Sequence, residues 1–517
     1  MKNLSKKYFL IEILILFYPL SIVIGPFVSE TVMTFVSLFF LLILFFKEKK
    51  FKIFNNKFFY YYLTFVIYIL LNSFLSNYSK FIFLDNVFYF RFLIFIFAVL
   101  FFLEKNPNLL KIFYYVLLAT IGIITIDGYI QYLTGKNLIG YEVLRPDRLS
   151  GFFGDRMVLG SFLSRYFYLL LALFFLFKSK LNKNLIFFSY ILFFLISLLI
   201  FFSGERAAFF NFSLGLFLLL LTLNYSFYKK ILLGFSILLL LLIVGISNKT
   251  VYDRYVTQTF KQFEIFNFDK KIHFFDRFFY YSTIFETAYK GYLDNKIFGQ
   301  GPKSFRYFCS DTKFETFSKK QTIIENNLIK FHTHKKFHKI LVKKIYISNN
   351  VEIKKGDLLF SYLSRGKLFN FYSEKEGTIT EFHFKEGDRF SLGKTLFTID
   401  LKDSTIPDSE IIYMNGCSTH PHQFYLQLMS ETGIIGTLFI LSNFIFLVFI
   451  LSKHFFSQFF NKIGNLNNAQ LCMIINFITI LFPISTAGNF FNNWLNMTFI
   501  IQISFFLFFF RNIKGNT

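Results

Sequence analysis

Long runs of apolar residues recur from one end of the sequence to the other. A helix rises about 1.5 Å per residue, so roughly 20 residues cross the ~30 Å hydrocarbon core of a membrane. The pattern therefore predicts an all-α polytopic membrane protein, and a charged break at 203–206 allows a count of eleven to thirteen spans. We count twelve, near residues 8–25, 31–46, 58–75, 83–103, 112–131, 158–177, 184–202, 207–223, 231–247, 434–452, 469–486 and 491–510.

The distribution of positive charge predicts how these spans are oriented. With twelve spans both termini share one side, and the segments on that side carry 19 Lys and Arg residues against Glu48 and Glu104. Basic residues accumulate on the cytoplasmic side of membrane proteins. Both termini are therefore expected in the cytoplasm, and the long segment 248–422 outside it. The first apolar run lacks a small-residue cleavage pattern and is predicted to be a retained span.

Composition narrows the class of protein further. Hydrophobic residues make up 54% of the 517 positions and charged residues 17%, which excludes a soluble enzyme and a disordered chain. The three cysteines exclude a disulfide-rich secreted scaffold. The net charge of +24 lies mostly in the predicted cytoplasmic segments. This excess of positive charge reflects the orientation of the chain in the membrane, so we expect membrane lipids and no nucleic acid as partners.

The segment 248–422 is predicted to be a folded extracytoplasmic domain. It carries 28 Lys and Arg residues and 20 Asp and Glu residues, which are most of the acidic residues of the chain. We therefore divide the chain into residues 1–247 with spans one to nine, residues 248–422 as the loop domain, and residues 423–517 with spans ten to twelve.

Residues 339–401 change to short alternating strands interrupted by glycine. A strand, a Gly-Asp turn and a second strand occur at 351–360 and again at 377–397, which predicts two interlocked β halves. The pattern resembles the biotinyl/lipoyl-like barrel-sandwich hybrid domains, which are also found in secretion adaptor proteins. Where carrier members of that family have a modified Lys, this chain has Gly366, with Lys367 beside it. We expect a structural or recruiting insert, with an envelope protein as its candidate partner and no attached cofactor.

Charged and titratable groups in or beside spans cost several kcal/mol and are functional candidates. Guanidinium groups bind phosphate through a planar fork of donors, and histidine accepts a proton near neutral pH. Together they suit transfer from a lipid diphosphate to an acceptor hydroxyl. A structural role is favoured for Asp127 and slightly favoured for Glu431. The candidates near the predicted outer face are Asp127, Arg145, Arg148, Arg206, Arg277, His420, His422 and Glu431.

The strongest motif lies at 417–436. It begins CSTHPHQFYLQL at Cys417 and continues ETGIIG from Glu431. This run resembles the signature of the O-antigen ligase and polymerase family, although Gln423 stands where that family more often has Asn. Further segments agree in the same order and extend the resemblance over most of the chain except the β insert. They are IDGYIQYLTG from Ile126, RLSGFF from Arg148, SGERAA from Ser203, FGQGP from Phe298, FP at Phe482 and GNFFNNW from Gly488.

The resemblance implies a membrane glycosyltransferase fold and a reaction without metal or cofactor, at the periplasmic face of the inner membrane. The donor would be an undecaprenyl-diphosphate-linked glycan, and the acceptor a hydroxyl of lipid A-core or of a similar lipid or glycan. Carried onto this chain, His422 orients or deprotonates the acceptor, while Arg148 and Arg206 hold the diphosphate leaving group. Further substrate contacts are expected from Arg277, Arg145, His420, Gln423 and Glu431.

Two kinds of rival function stay open. A polysaccharide polymerase or a protein O-oligosaccharyltransferase differs from a ligase only in its acceptor. A transporter or secretion component would place ionisable residues near the membrane midplane, often in two related halves. Here the charges lie toward one face and the spans show no internal repeat, which favours the enzyme.

The positions of the cysteines and of a histidine cluster predict one disulfide and no metal site. Cys309 and Cys417 flank the β insert in a compartment expected to be oxidising, and we expect a disulfide between them. Cys472 lies within a span and is expected to pack as a small apolar residue. The histidine cluster at 332–338 lacks Cys or carboxylate ligands at convincing spacing, so no metal site is expected.

Overall fold

The fold is described from a computed structural model of the chain. Two predicted features, the span at 231–247 and Arg277, lie outside the described residues. The described residues are 8–46, 57–143, 145, 147–223, 228, 249–257, 259, 281–314, 316–323, 328–332, 340–354, 356–364, 367–373, 376–390, 395–400, 409–461, 464–484 and 488–511.

Helices form most of the described chain. In chain order the longer ones are α1 (Phe9–Ile24), α2 (Pro26–Phe46), α3 (Lys57–Leu75), α4 (Ser79–Val87), α5 (Phe90–Lys105), α6 (Asn108–Thr134), α7 (Leu159–Phe177), α8 (Lys183–Phe202), α9 (Arg206–Thr222), α10 (Ser282–Asp294), α11 (Phe424–Asn461), α12 (Asn468–Ile480) and α13 (Asn493–Arg511). Within the described residues, eight segments are long and apolar enough to cross a membrane: α2, α3, α4 with α5, α6, α7, α8, α11 and α13. The apolar helices α1, α9 and α12 are shorter. The chain therefore has the character of a helical membrane protein.

The helices follow the hydrophobic runs of the sequence. Each predicted span has a helix at its position except the one at 231–247, which lies outside the described residues. The span predicted at 83–103 consists of two helices, α4 and α5, and the break at 203–206 separates α8 from α9. The count of twelve complete spans stays a prediction.

Local sequence explains where several helices begin and end. Asn182 accepts a hydrogen bond from Leu185 N at 2.8 Å and caps α8. Asn467 and Gln470 form a reciprocal capping box at the start of α12. Gly135 ends α6 in the left-handed conformation that glycine adopts at low cost. Each of these residues satisfies backbone groups that the helix itself leaves unpaired.

The centre of the bundle is built from α5 and α7. Residues 95–103 of α5 are all buried, as is most of 162–174 in α7. A helix that is apolar all round is stable when other helices or lipid surround it. The outer helices expose large apolar side chains instead, among them Phe45, Phe74 and Phe187. An apolar outer surface of this kind fits a hydrocarbon environment.

Helix α11 has a sharp kink at Gly433, where φ is 61° and ψ is −165°. The kink admits a segment of turns at 295–302, because a side chain on Gly433 would overlap the carbonyl oxygen of Ile297. Ile434 N donates to Lys296 O at 2.8 Å across this contact. The segment carrying the FGQGP motif is therefore built into the bundle beside α11.

The β strands form three antiparallel sheets. In chain order the strands are β1 (Phe317–Ile323), β2 (Leu328–His332), β3 (Ile340–Ile345), β4 (Val351–Ile353), β5 (Leu358–Ser364), β6 (Lys367–Tyr372), β7 (Gly377–Phe382), β8 (Arg389–Phe390), β9 (Thr395–Asp400) and β10 (Ser409–Asn415). Strand β1 pairs with β10, and the two four-stranded sheets have the orders β2-β9-β7-β4 and β6-β5-β3-β8. The two larger sheets share one apolar cluster, formed by Val342, Ile353, Leu359, Phe360, Tyr362, Ile379, Phe384 and Phe397.

Two turns of the β region have the same construction. Lys354 N donates to Asp357 Oδ2 at 2.7 Å, and Lys385 N donates to Asp388 Oδ2 at 2.8 Å. The glycine before each Asp has positive φ, 98° at 356 and 89° at 387. The repeat of strand, Gly-Asp turn and strand that the sequence shows is thus also a repeat of local structure.

The chain divides into two compact units. The first comprises Met1–Phe279, Ala288–Phe305 and His420–Thr517 and holds the helical bundle. The second comprises Tyr280–Thr287 and Arg306–Thr419 and holds the β strands.

Candidate functional site

The corner between α8 and α9 carries the sequence SGER at 203–206. Gly204 has a φ of 69°, a left-handed conformation that glycine adopts at low cost. A Cβ at this position would overlap the carbonyl oxygen of Asp147. Next to it, Leu149 N donates to Ser203 O at 3.2 Å. The loop after α6 therefore packs directly on the corner, and glycine permits this approach.

Asp147 joins two arginines at the corner. Arg145 donates to both carboxylate oxygens at 3.2 Å, and Arg254 Nη1 lies 3.2 Å from Asp147 Oδ2. Arg254 also donates through Nε to the carbonyl oxygen of Gly204 at 3.0 Å. Arg254 is 9% exposed, so these contacts are largely shielded from water. They attach the helical turn at 253–257 to the corner.

Arg148 and Arg206 complete the arginine cluster, which we define as Arg145, Arg148, Arg206 and Arg254. Arg148 Nη2 donates to Met157 O at 2.8 Å, and Arg206 Nη1 donates to Thr259 Oγ1 at 3.1 Å. Burial and the positive charge of Arg206 lower the pKa of Arg254, while Asp147 raises it. The cluster therefore concentrates positive charge, which favours binding of an anion.

Glu205 is buried and attaches the corner to α7. Its carboxylate accepts hydrogen bonds from Gly160 N at 2.7 Å, Ser161 N at 3.3 Å and Ser161 Oγ at 2.6 Å. Burial raises the pKa of this carboxyl, against the opposing effects of the Ser161 hydrogen bond and the charge of Arg148. These donors belong to the first turn of α7, where a carboxylate is favourable. Glu205 therefore attaches the corner that carries Arg206 to the start of α7.

Two polar residues of α6 shape the loop that carries half of the arginine cluster. Asp127 Oδ1 accepts a hydrogen bond from a loop backbone N–H at 2.9 Å. Gln131 Oε1 accepts from Ser150 N at 2.9 Å and from Gly151 N at 2.7 Å. Both side chains are fully buried. The contacts of Asp127 are structural, in line with the role that the sequence favours.

His420 and His422 lie just before α11, with ring centroids 4.1 Å apart. Both are partly exposed, whereas Pro421 between them is buried. His422 has a φ of 61°, which is uncommon for a residue with a side chain. Backbone strain of this kind clusters at functional sites. The turn therefore holds the two imidazole rings close together immediately before α11.

Gln423 has contacts on both sides of its amide. Oε1 accepts a hydrogen bond from Leu426 N at 2.6 Å and caps the first turn of α11, and Nε2 donates to the carbonyl oxygen of Pro483. These bonds orient the chain immediately after His422. These contacts make Gln423 part of the scaffold around the site, and the substrate contact expected from the sequence stays a prediction.

Glu431 is fully buried in α11. Its two oxygens accept hydrogen bonds from Lys303 N and Phe305 N, both at 3.0 Å, and from Gln427 Nε2 at 2.9 Å. The protein itself supplies the donors that this carboxylate needs. Glu431 thus braces the segment at 299–305 against α11, and the substrate contact expected from the sequence stays a prediction.

Arg206 and His422 lie at the same end of the bundle. Helix α9 packs against α11 and α12, and Phe210, one turn into α9, contacts Phe482 with ring centroids 5.7 Å apart. Phe482 precedes Pro483, whose carbonyl oxygen accepts the side-chain amide of the residue after His422. A short series of contacts therefore joins the arginine cluster to the histidine pair.

The disulfide expected from the sequence is present in the structure. Cys309 and Cys417 are bonded, with Cα atoms 4.9 Å apart, inside the unit that holds the β strands. Cys472 is fully buried in α12. Across the described part of the chain, no group of three or more His, Cys, Asp or Glu residues is placed to hold a metal ion.

Arg254 is the member of the arginine cluster that sequence reasoning missed. It lies in a charged segment outside every motif noted above, and its only signal is its position shortly after a predicted span. Comparison of the chain with models of protein families and with curated proteins finds no match.

Proposed function

We propose that the protein is a membrane glycosyltransferase of the O-antigen ligase type. It transfers a glycan from an undecaprenyl-diphosphate carrier to an acceptor hydroxyl. The observation that carries the proposal is the arginine cluster, gathered around one corner of the bundle at the end that also carries His422. An anion-binding cluster and a proton acceptor at one end of a membrane bundle are what this reaction requires.

The arginine cluster serves the leaving group. As the acceptor oxygen bonds to the anomeric carbon, the bond from that carbon to the diphosphate oxygen breaks and the diphosphate leaves with the electron pair. Guanidinium donors that are already in place stabilise this charge without reorganisation, and a single such donor contributes about 10²- to 10³-fold in rate. Arg148 and Arg206 are partly buried, which strengthens their interaction with an anion.

His422 serves the acceptor. The hydroxyl that attacks the anomeric carbon loses a proton, and a neutral imidazole takes it with an effect of about 10²- to 10⁴-fold. The strained backbone at His422 and the cap formed by Gln423 hold the ring at the start of α11. The ring of His420 lies beside it, with centroids 4.1 Å apart and planes tilted by 49°, and supports its position.

The proposed topology has twelve spans, with both termini in the cytoplasm and the site at the periplasmic face of the inner membrane. Its support is that the loops between helices at 147–158, 203–205, 420–423 and 481–484 lie at one end of the bundle. The opposite ends carry lysines such as Lys105, Lys183 and Lys453. Lysine enrichment at one end is the expected mark of the cytoplasmic side.

The β insert is proposed to be a barrel-sandwich hybrid domain that recruits an envelope partner. Its support is the pair of four-stranded sheets around one apolar cluster and the repeated Gly-Asp turn. Strands β3 to β9 match the predicted segment, and β2 adds an edge strand before it. Deletion of 335–403 would separate recruitment from catalysis, because a recruiting insert is needed in cells and dispensable for transfer in vitro.

The test uses full-length protein in lipid nanodiscs and lipid-linked glycan extracted from source cells that lack it. We expect His422→Ala and Arg206→Ala each to lower transfer by at least about 10²-fold. The matched controls His383→Ala and Arg306→Ala change exposed residues outside the helical bundle and should retain activity. Full activity of both site variants would overturn the mechanism.

The same assay identifies the acceptor. Lipid A-core, a second lipid-linked repeat unit and a serine-containing peptide are offered separately to the wild type. Transfer to the first defines a ligase, to the second a polymerase and to the third a protein O-oligosaccharyltransferase. Absence of transfer to all three, with donor bound and protein folded, would refute the enzymatic proposal.

A further inference from the structure

A cavity of about 410 Å³ opens beside the loop that carries Arg148. Its walls are the turn between α1 and α2, residues 141–142 and 152–156 of the loop after α6, and the start of α13. The volume lies within the range of about 300–1,000 Å³ that is usual for small-ligand sites. We call it the Trp494 pocket, and its chemically distinctive lining residues are Tyr141, Glu142, Phe153, Asp155, Arg156 and Trp494.

The aromatic side of the Trp494 pocket is held in place by its own contacts. Trp494 Nε1 donates to Ile22 O at 3.2 Å, and the ring of Phe153 meets the indole edge to face at 6.1 Å. The ring of Tyr141 lies over Gly154, where an added Cβ would be 3.5 Å away. These contacts orient the rings at the cavity wall and leave the cavity itself open.

The polar side of the pocket offers hydrogen-bonding groups of both kinds. Asp155 and Arg156 are exposed, and within the described residues neither side chain has a hydrogen bond or an ion pair. Glu142 pairs with Lys136 at 3.0 Å. One carboxylate and one guanidinium are therefore available to a ligand.

We propose that the Trp494 pocket binds an uncharged hexose ring of the glycan substrate. The face of an aromatic ring carries negative charge density, which attracts the polarised C–H groups on one face of a pyranose. Asp155 accepts hydrogen bonds from sugar hydroxyls and Arg156 donates to their oxygens. The lining carries two carboxylates, Glu142 and Asp155, against the one guanidinium of Arg156, and this excess of negative charge disfavours the carboxylate of a uronic acid.

The position of the pocket links it to the candidate site, and in this respect the inference rests on the proposed function. Arg148 donates to the carbonyl oxygen of Met157, the residue after Arg156. The same loop therefore holds a diphosphate-binding residue and the polar wall of the pocket. A sugar of the donor, attached to the diphosphate, or a sugar of the acceptor would lie within reach of this loop.

Trp494 is the single tryptophan of the chain, so intrinsic fluorescence reports on this pocket directly. The full-length protein in nanodiscs of fixed phospholipid composition is titrated with methyl glucoside, methyl N-acetylglucosaminide, methyl glucuronide and the oligosaccharide released from the donor by mild acid. We expect a saturable change with the uncharged sugars and binding at least tenfold weaker for the glucuronide. Asp155→Asn should weaken binding by a similar factor, whereas Asp85→Asn, an exposed carboxylate outside the pocket, should not.

Phosphoethanolamine is the comparison ligand, because aromatic residues also gather at membrane interfaces. A saturable response to phosphoethanolamine without a response to the sugars would identify a lipid headgroup site and overturn the proposal. The absence of a response to every sugar would overturn it as well.

The two sources of the sugar are separated with Asp155→Asn, which changes the pocket and leaves the arginine cluster intact. Lipid-linked donor should bind this variant at least tenfold more weakly if its sugar enters the pocket. Unchanged donor binding, together with weakened binding of the free glycosides, assigns the pocket to the acceptor. Sugar binding without any transfer would overturn the proposed function and leave the pocket standing, and transfer without a Trp494 response would do the reverse.

Discussion

Replacement of Gly204 by Ala tests whether the corner between α8 and α9 assembles the arginine cluster. The residue has a φ of 69°, and an alanine in this left-handed conformation costs about 1–2 kcal/mol. The added methyl also overlaps the carbonyl oxygen of Asp147, whereas ordinary van der Waals contact begins near 3.4 Å. Backbone cannot rotate away as a flexible side chain can, so the backbone at 147–149 must move away from the corner.

This movement of the loop lengthens the contacts that Arg254 makes with the corner. Arg254 lies 3.2 Å from Asp147 and 3.0 Å from Gly204 O, and a shift on the order of 1 Å breaks such contacts and costs about 10²-fold where it displaces a positioning group. We expect Gly204→Ala to lower kcat/KM for glycan transfer by at least about 10²-fold. The reacting side chains themselves are unchanged in this variant.

Gly135→Ala is the matched control. Gly135 also has a positive φ, 79°, and an added Cβ there meets no heavy atom within 4 Å. This variant has the same backbone cost without the overlap, so it should lose about 1–2 kcal/mol of stability and retain transfer within a few fold. Both variants are assayed in nanodiscs for kcat/KM, with Tm measured alongside. Equal transfer by the two variants would refute the reasoning.

Two further predictions concern protonation and redox state. Burial raises the pKa of Glu205 above its ordinary value of 4.5, so the stability that this group contributes is complete below pH 4.5 and lost as the pH rises through the folded pKa. Glu205→Gln should abolish this fall in Tm and Glu142→Gln should not; equal curves would contradict the prediction. The Cys309–Cys417 disulfide closes 108 residues, a constraint of about 4–5 kcal/mol. Reducing agent should therefore speed proteolysis of the wild type and leave the Cys309→Ser/Cys417→Ser variant unchanged; equal acceleration would refute it.

The helices were predictable because the signal for a span is local. A run of apolar residues long enough to cross hydrocarbon can satisfy its backbone in few other ways, so α2, α8 and α13 lie where the runs lie. The division of 83–103 into α4 and α5 was not predictable in this way. Both pieces are apolar, and the break depends on how they pack within the bundle.

The sequence identifies which polar residues are candidates for the site, but it does not show what each of them contacts. Sequence singles out Gln423 and Glu431 because they belong to a motif, yet it does not show which backbone N–H groups will come to face them. In the structure Glu431 receives donors from 303 and 305, more than a hundred positions away. Such long-range partners decide whether a buried carboxylate is available to a substrate or is part of the scaffold.

The sequence by itself determined that this is a polytopic membrane protein, and it singled out Arg148, Arg206 and His422 as candidates for the site. Apolar run length and residue type are sufficient for these conclusions, because both act through local chemistry. The tertiary structure alone decided that Arg254 joins the arginine cluster and that Trp494 lines a cavity beside it. Those placements depend on the packing of segments far apart in the chain, and no local pattern encodes them.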